Sequence, residues 1–234
     1  GGYLLCGADM TSLEDTTKRH YMYPYDPGYV AEMSQLGFDP HLDLAKHAGY
    51  ARQEEIDKYN RGDMPELKDI RKRFKAVNYS ATYGIGVAKL SRDTGMSEDE
   101  AEKLLDAYWK RNWSVKKFVL ANIKSKRFLN NEMWIQNPVS KFWHSLRKEK
   151  DIFSTINQST GSYCFDRWVA LYRSKRSNIV GQFHDESINV IKKGEEDEHT
   201  SVLNWAIKKL NEQLKLNVDL GIDIQYGQTY ANVH

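Results

Sequence analysis

Arg71, Lys75, Tyr79 and Tyr83 recur at every fourth position, and together they could hold a nucleotide. At about 100° per residue, each step of four drifts by only about 40°, so a helix would align them on one stripe about 18 Å long. Two cations suit a polyphosphate, and two flat rings suit a nucleobase and its sugar. Gly84 and Gly86 follow and can end such a helix. The same residues would equally make a solvated basic face beside two half-buried tyrosines. A second set is acidic. Asp9 closes the apolar run 3–8, and His184-Asp185-Glu186 separates the β-rich runs 179–183 and 187–191. Two carboxylates at strand ends of one sheet, completed by substrate phosphates and water, would satisfy Mg²⁺. The plainer alternatives are a helix N-cap for Asp9 and a solvated turn for 184–186.

The elements that must position these residues follow from periodicity and breakers. Residues 3–8 predict a buried strand, and the pattern turns helical towards His20. Pro24, Pro27, Gly28 and Gly37 make 21–38 a loop with at most a short helix over 29–36. A polar helix is expected over 51–59, broken at Gly62 and Pro65 before the central stripe. Ser97 with Glu100 predicts a capping box. It opens a helix that aligns Ala101, Leu104, Leu105, Tyr108 and Trp109 towards a core. A further helix is expected over 115–123.

From 124 to 150 basic residues alternate with aromatics, among them Lys126, Arg127, Phe128, Trp134, Phe142, Trp143 and Lys150. Asn130-Asn131 predicts a hairpin turn there. That interleaving suits single-stranded or duplex nucleic acid, and also an irregular solvated surface. A long helix over 152–173, an amphipathic helix over 202–216 and a last strand over 219–225 complete the pattern.

Bulk properties narrow the class. The 234 residues carry 34 basic against 32 acidic side chains, net +2, so no all-over basic field suggests wholesale nucleic-acid binding. An apolar content of 40% with 12% aromatics indicates a folded chain with a core. No apolar run reaches the length of a membrane span, and no leader pattern opens the chain. Two cysteines, Cys6 and Cys164, are too few for a zinc site and read as buried thiols in a reducing cytoplasm. Internal repeats and low-complexity segments are absent.

The pattern R-x-x-x-K-x-x-x-[FY]-x-x-x-Y-G around Arg71 to Gly84 resembles the nucleotide-binding helix of family A DNA polymerases, the group of bacterial DNA polymerase I and many phage replicases. Asp9, Glu14 and His20 stand at the spacings of that family's first motif, although Thr16 replaces its arginine. Asp39-Pro40-His41 is similar to the segment leading into the fingers. Gln158 with Gly161 resembles the helix that touches the primer–template end, with Ser154 in place of the family asparagine. His184-Asp185-Glu186 matches the third motif in full.

The resemblance implies an α+β fold, an antiparallel palm sheet with an inserted helical fingers subdomain. Palm would occupy 1–50 and 150–234, and fingers 51–149. It implies primer extension with dNTPs by two-metal nucleotidyl transfer, with Mg²⁺ held by Asp9 and Asp185 and Mn²⁺ as a substitute. Arg71 and Lys75 would hold the β- and γ-phosphates, and Lys75 would also protonate the departing pyrophosphate. Tyr79 would face the sugar, where its phenol would let dideoxynucleotides be accepted. Tyr83 would pack by the template base, and Glu14 would lie under the sugar and exclude a 2′-hydroxyl.

Gln158, His184, Glu186 and Lys150 would contact primer–template DNA. A thumb, further palm strands and a 3′–5′ exonuclease domain would precede this stretch in the family. The chain is therefore expected to be a fragment or one subunit of a split polymerase, in a bacterial cytoplasm if phage-encoded. The rival expectations are a single-subunit RNA polymerase core and a non-catalytic primer–template-binding subunit.

Overall fold

The computed structural model describes residues 2–176, 179–183 and 185–234. His184, expected among the DNA contacts, lies outside the described residues. The chain opens with strand β1 (Tyr3–Met10) and helices α1 (Leu13–Met22), α2 (Pro27–Met33), α3 (Pro40–His47) and α4 (Gln53–Asn60). The central helix α5 (Leu67–Thr82) leads to α6 (Val87–Thr94), α7 (Glu98–Arg111) and α8 (Trp113–Asn122). Strands β2 (Arg127–Leu129), β3 (Glu132–Gln136) and β4 (Trp143–Leu146) precede the long helix α9 (Ile152–Lys175). Strands β5 (Ile179–Phe183) and β6 (Glu186–Lys192), helix α10 (Glu196–Leu214) and strand β7 (Ile222–Gly227) close the fold.

Two compact units result. One comprises Gly1–Tyr21, Gln136–His144 and Thr155–His234; the other comprises Met22–Ile135 and Ser145–Ser154. These limits differ from the boundaries at 50 and 149 drawn from sequence.

The first unit is built on an antiparallel sheet in the order β5-β6-β1-β7. Side chains alternate along β1, so Cys6, Ala8 and Met10 face a core with Cys164, Trp168, Tyr172, Leu203 and Leu210. The pleat sends Gly7 and Asp9 to the other face. There the chain after β7 folds back so closely that a Cβ on Gly7 would collide with the Val233 carbonyl.

The second unit packs Leu42, Leu44, Leu67, Phe74, Val77, Ala81, Leu90, Leu104 and Tyr108 into one core. Leu67, Phe74, Val77 and Ala81 lie on one side of α5, which turns the sequence stripe outward. A Phe→Ala change at the fully buried Phe74 would cost about 3–5 kcal/mol. Helix α5 ends as expected: Gly84 takes φ +74°, a left-handed position that glycine occupies without a Cβ penalty.

Asn130 and Asn131 have φ +51° and +63°, which is the turn a two-residue hairpin between β2 and β3 requires. The expected capping box is only half formed. Ser97 accepts from the Glu100 amide at 3.1 Å, but the Glu100 carboxylate turns to Arg73 at 2.7 Å. A full ion pair holds that side chain better than one neutral amide does. Helix α6 was not anticipated; its eight residues are too short for a clear periodic signal. Among the described residues no helix is long and apolar enough to cross a membrane.

Candidate active site

Strand register places three carboxylates in a row on one face of the first unit's sheet. Asp9 on β1 stands opposite Glu186 on β6 and Asp223 on β7. Residues directly opposite share a face, so all three point away from the helical core. Asp185 joins them through the backbone: its carbonyl accepts from the Met10 amide at 3.0 Å. Burial raises the Asp9 carboxyl above its ordinary value, and the charges of Asp223, Asp185 and Glu186 raise it further. A site that resists its own negative charge in this way favours a cation.

For Glu186, expected among the primer–template contacts, a solvated turn was the plainer alternative. Glu186 is buried, and its Oε2 lies 2.9 Å from His234 Nδ1. Asp223 is held by Thr11, whose hydroxyl donates to it at 2.8 Å. Among the described residues no three His, Cys, Asp or Glu side chains converge into a metal-holding group. Mg²⁺ keeps several waters and needs only one or two protein carboxylates, so the donor set of Asp9 and Asp185 fits a hydrated hard cation rather than a closed protein cage.

In the second unit α5 carries Arg71, Lys75 and Tyr79 at helical spacing, and Tyr83 is the residue that caps its end. Lys75 is exposed, with its Nζ 5.8 Å from the Tyr79 ring centre. Tyr79 and Tyr83 are 58% and 41% exposed, too open for core packing. Arg71 is held: its Nε donates to Asp39 Oδ2 at 2.6 Å. Asp39 also caps α3, accepting from the amides of His41 and Leu42. Burial works against its charge, but the bonds from Arg71 and those amides outweigh it and hold the carboxyl below its usual range. His41 lies beside this face, with Nδ1 2.9 Å from Asn78 Nδ2 and its ring 6.2 Å from that of Tyr79. Lys150 packs its backbone and stem against Gly84, at the end of the same helix.

The remaining expected residues belong to the first unit. Glu14 lies in the first turn of α1, and Gln158 is exposed on α9. Asn157, next to Gln158, donates to the Glu14 carbonyl at 3.0 Å and so links the two helices. His20 accepts from the Asn217 amide at 2.9 Å, a structural tie rather than a part of the acidic face. Thr16 receives Arg19 Nη2 at 3.2 Å, one turn along from where the family arginine would stand.

The structure therefore sets Asp9 opposite Glu186 on one sheet face, with Asp185 bonded beside them through its backbone, and ties Glu14 to the helix of Gln158. It gathers Arg71, Lys75, Tyr79, Tyr83 and Lys150 on and beside α5. Sequence reasoning missed Asp223 and Asn157, and it placed Asp39 and His41 in the segment leading into the fingers without giving either a partner. For Asp223 the signal was available in the strand 219–225, because β alternation sets it on the opposite side from Ile222 and Ile224.

One unit thus presents a carboxylate row on an antiparallel sheet, and the other a cationic, aromatic helix. The chain belongs to DNA polymerase family A, whose sequence pattern matches residues 26–232. It is 28% identical over 117 residues to DNA polymerase I of Helicobacter pylori, across 50% of this chain and 11% of that protein. Against DNA polymerase I of Borreliella burgdorferi it is 22% identical over 180 residues, across 71% of this chain and 20% of the relative. The chain thus spans about a tenth to a fifth of these two curated relatives. The polymerase domain of Pol1 from M. smegmatis, solved with DNA primer-template and dNTP, has a similar fold. That match has a TM-score of 0.72 and 22% identity, and covers 100% of this chain and 41% of the other.

Proposed function

We propose that this chain is the nucleotide-adding core of a template-directed DNA polymerase. The observation that carries this is the carboxylate row of Asp9, Glu186 and Asp223, with Asp185 bonded beside it through Met10. In the reaction a primer 3′-hydroxyl attacks the α-phosphorus of a dNTP. A new P–O bond forms, the bond to the bridging oxygen breaks, and pyrophosphate leaves.

Asp9 and Asp185 would hold two Mg²⁺ ions, which when bound lower the hydroxyl pKa and offset charge on the phosphate oxygens. Arg71 gives up its bond to Asp39 to grip phosphate, and its planar fork suits two oxygens at once. Lys75 neutralises the departing pyrophosphate and supplies it with a proton. Tyr79 lies against the sugar and Tyr83 against the template base. Glu14 fills the space a 2′-hydroxyl would need, which favours dNTPs over the rNTPs of an RNA polymerase. Gln158, Lys150, Glu186 and His184 contact the primer–template. Residues 1–50 and 150–234 act as palm, and 51–149 as fingers. Thumb, remaining palm and any 3′–5′ exonuclease come from another segment or a second chain, in keeping with a split, phage-type replicase.

The test is primer extension by the purified chain, alone and mixed with an upstream family A segment carrying a thumb. Templated incorporation of dNTPs, and poor use of rNTPs, is expected in at least the mixed sample. Primer–template binding without extension in either sample, at any Mg²⁺ or Mn²⁺ level, would instead support a non-catalytic subunit.

A further inference from the structure

Asn157 is a buried amide between two helices that the proposed chemistry uses. It is 4% exposed and lies on α9 beside the outward-facing Gln158. Its Nδ2 donates to the Glu14 backbone carbonyl at 3.0 Å, and its Oδ1 accepts from Thr17 Oγ1 at 2.7 Å. Thr17 has one hydroxyl proton and two acceptors in reach, the second being the Glu14 carbonyl at 3.1 Å. The shorter contact takes the proton, so Asn157 supplies the Glu14 carbonyl with its side-chain donor. The amide has one workable orientation. Reversed, it would set its oxygen against the Glu14 carbonyl oxygen, two acceptors with no proton between them.

An apolar side chain could fill this place without burying an amide, so the polar choice adds direction rather than packing. The direction is along α1. Further on, Tyr21 Oη lies 2.5 Å from Thr160 Oγ1, one turn along α9. Beside these ties, a Cβ on Gly161 would stand only 3.3 Å from Leu13, which marks how closely the helices approach. Helix α1 is thus fastened to α9 at both ends. The tie at its first turn falls on Glu14, where a helix end would otherwise fray.

We infer that Asn157 is a positioning residue for sugar selection: it fixes the height of Glu14 relative to the helix that carries Gln158. Its role rests on the one proposed for Glu14. Rejecting a substrate for one extra hydroxyl requires a side chain held to a fraction of an ångström, because a yielding wall accommodates the larger sugar.

The experiment measures the ratio of kcat/KM for dNTP over rNTP in single-nucleotide insertion by the extension-competent protein, with thermal unfolding alongside. Asn157→Leu is expected to lower the ratio about three- to tenfold, chiefly by faster rNTP use. Thr17→Val leaves the amide half-anchored and lowers the ratio less, whereas Thr17→Ser keeps the hydroxyl and the wild-type ratio. These Thr17 variants decide the matter if Asn157→Leu does not fold. Glu14→Ala combined with Asn157→Leu should match Glu14→Ala alone, because one acts through the other. If Glu14→Ala lowers the ratio while Asn157→Leu and Thr17→Val change only the melting temperature, the inference is overturned and Glu14 keeps its role. If Glu14→Ala itself leaves the ratio unchanged, both assignments fall.

Discussion

Asp9 lies in the pleat of a sheet with a cross-strand neighbour fixed on either side, whereas Lys75 and Tyr79 project from a helix on exposed side chains. The acidic face is defined by backbone register, and partial burial, with three like charges beside it, raises the carboxyl of Asp9. The cationic face is defined by side chains that project from a helix, and Arg71 among them is tied down by Asp39. The contrast suits what each would hold. A metal site needs carboxylates that do not move as the reaction proceeds. A phosphate grip must open to admit a nucleotide and close on it. Rigidity and repulsion on one side, reach and adaptability on the other, predict different responses to mutation.

The steepest loss is expected on the rigid side. Asp185→Asn keeps size and shape but removes a charge, and should slow extension by about a thousandfold or more. A rate within tenfold of wild type at saturating Mg²⁺ would show that Asp185 is not a ligand. On the adaptable side Lys75→Ala should cost about a hundredfold in kcat, the lower range for a lost proton donor. A methylamine-type rescue of the rate would locate that loss at the ammonium.

Tyr79→Phe should be gentler. Natural nucleotides should be used nearly as before. Dideoxynucleotides should fall behind by about 10- to 150-fold, one hydrogen bond to a charged group. Strong discrimination already present in the wild type would remove Tyr79 from the sugar.

The smallest effect concerns the core behind the acidic face. His199 is buried there, its Nδ1 3.4 Å from the Tyr172 hydroxyl. Burial, with Arg176 nearby, pushes its pKa down from 6.5 to about 4, and Glu195 opposes this. The unfolded chain therefore takes up a proton first as pH falls. Stability should hold above pH about 6.5 and decline from there to about 4, with no further loss from this group below. Denaturant melts of wild type and His199→Gln over that range would show the slope and its flattening.

Much of this contrast was legible in residue order. The fourfold spacing from Arg71 to Tyr83 gave a helix with a chemical stripe, and the apolar run before Asp9 gave the strand that carries it. Even the start of α9 at Ile152 was set by local pattern. What escaped were pairings made across the chain. Asp39 and Arg71 are separated by 32 positions, Thr17 and Asn157 by 140, and no local period links them. Asp223 read as an ordinary strand residue until register set it opposite Asp9. For Glu186 the turn before it left a solvated alternative open, yet the returning chain beyond β7 brings His234 onto it.

The most direct test of the account is the extension rate of Asp9→Asn, measured on protein whose thermal midpoint equals or exceeds that of the wild type. Loss of extension by about a thousandfold or more, with stability kept or raised by relieving the repulsion, is the predicted result. Extension near the wild-type rate in that folded variant would contradict it.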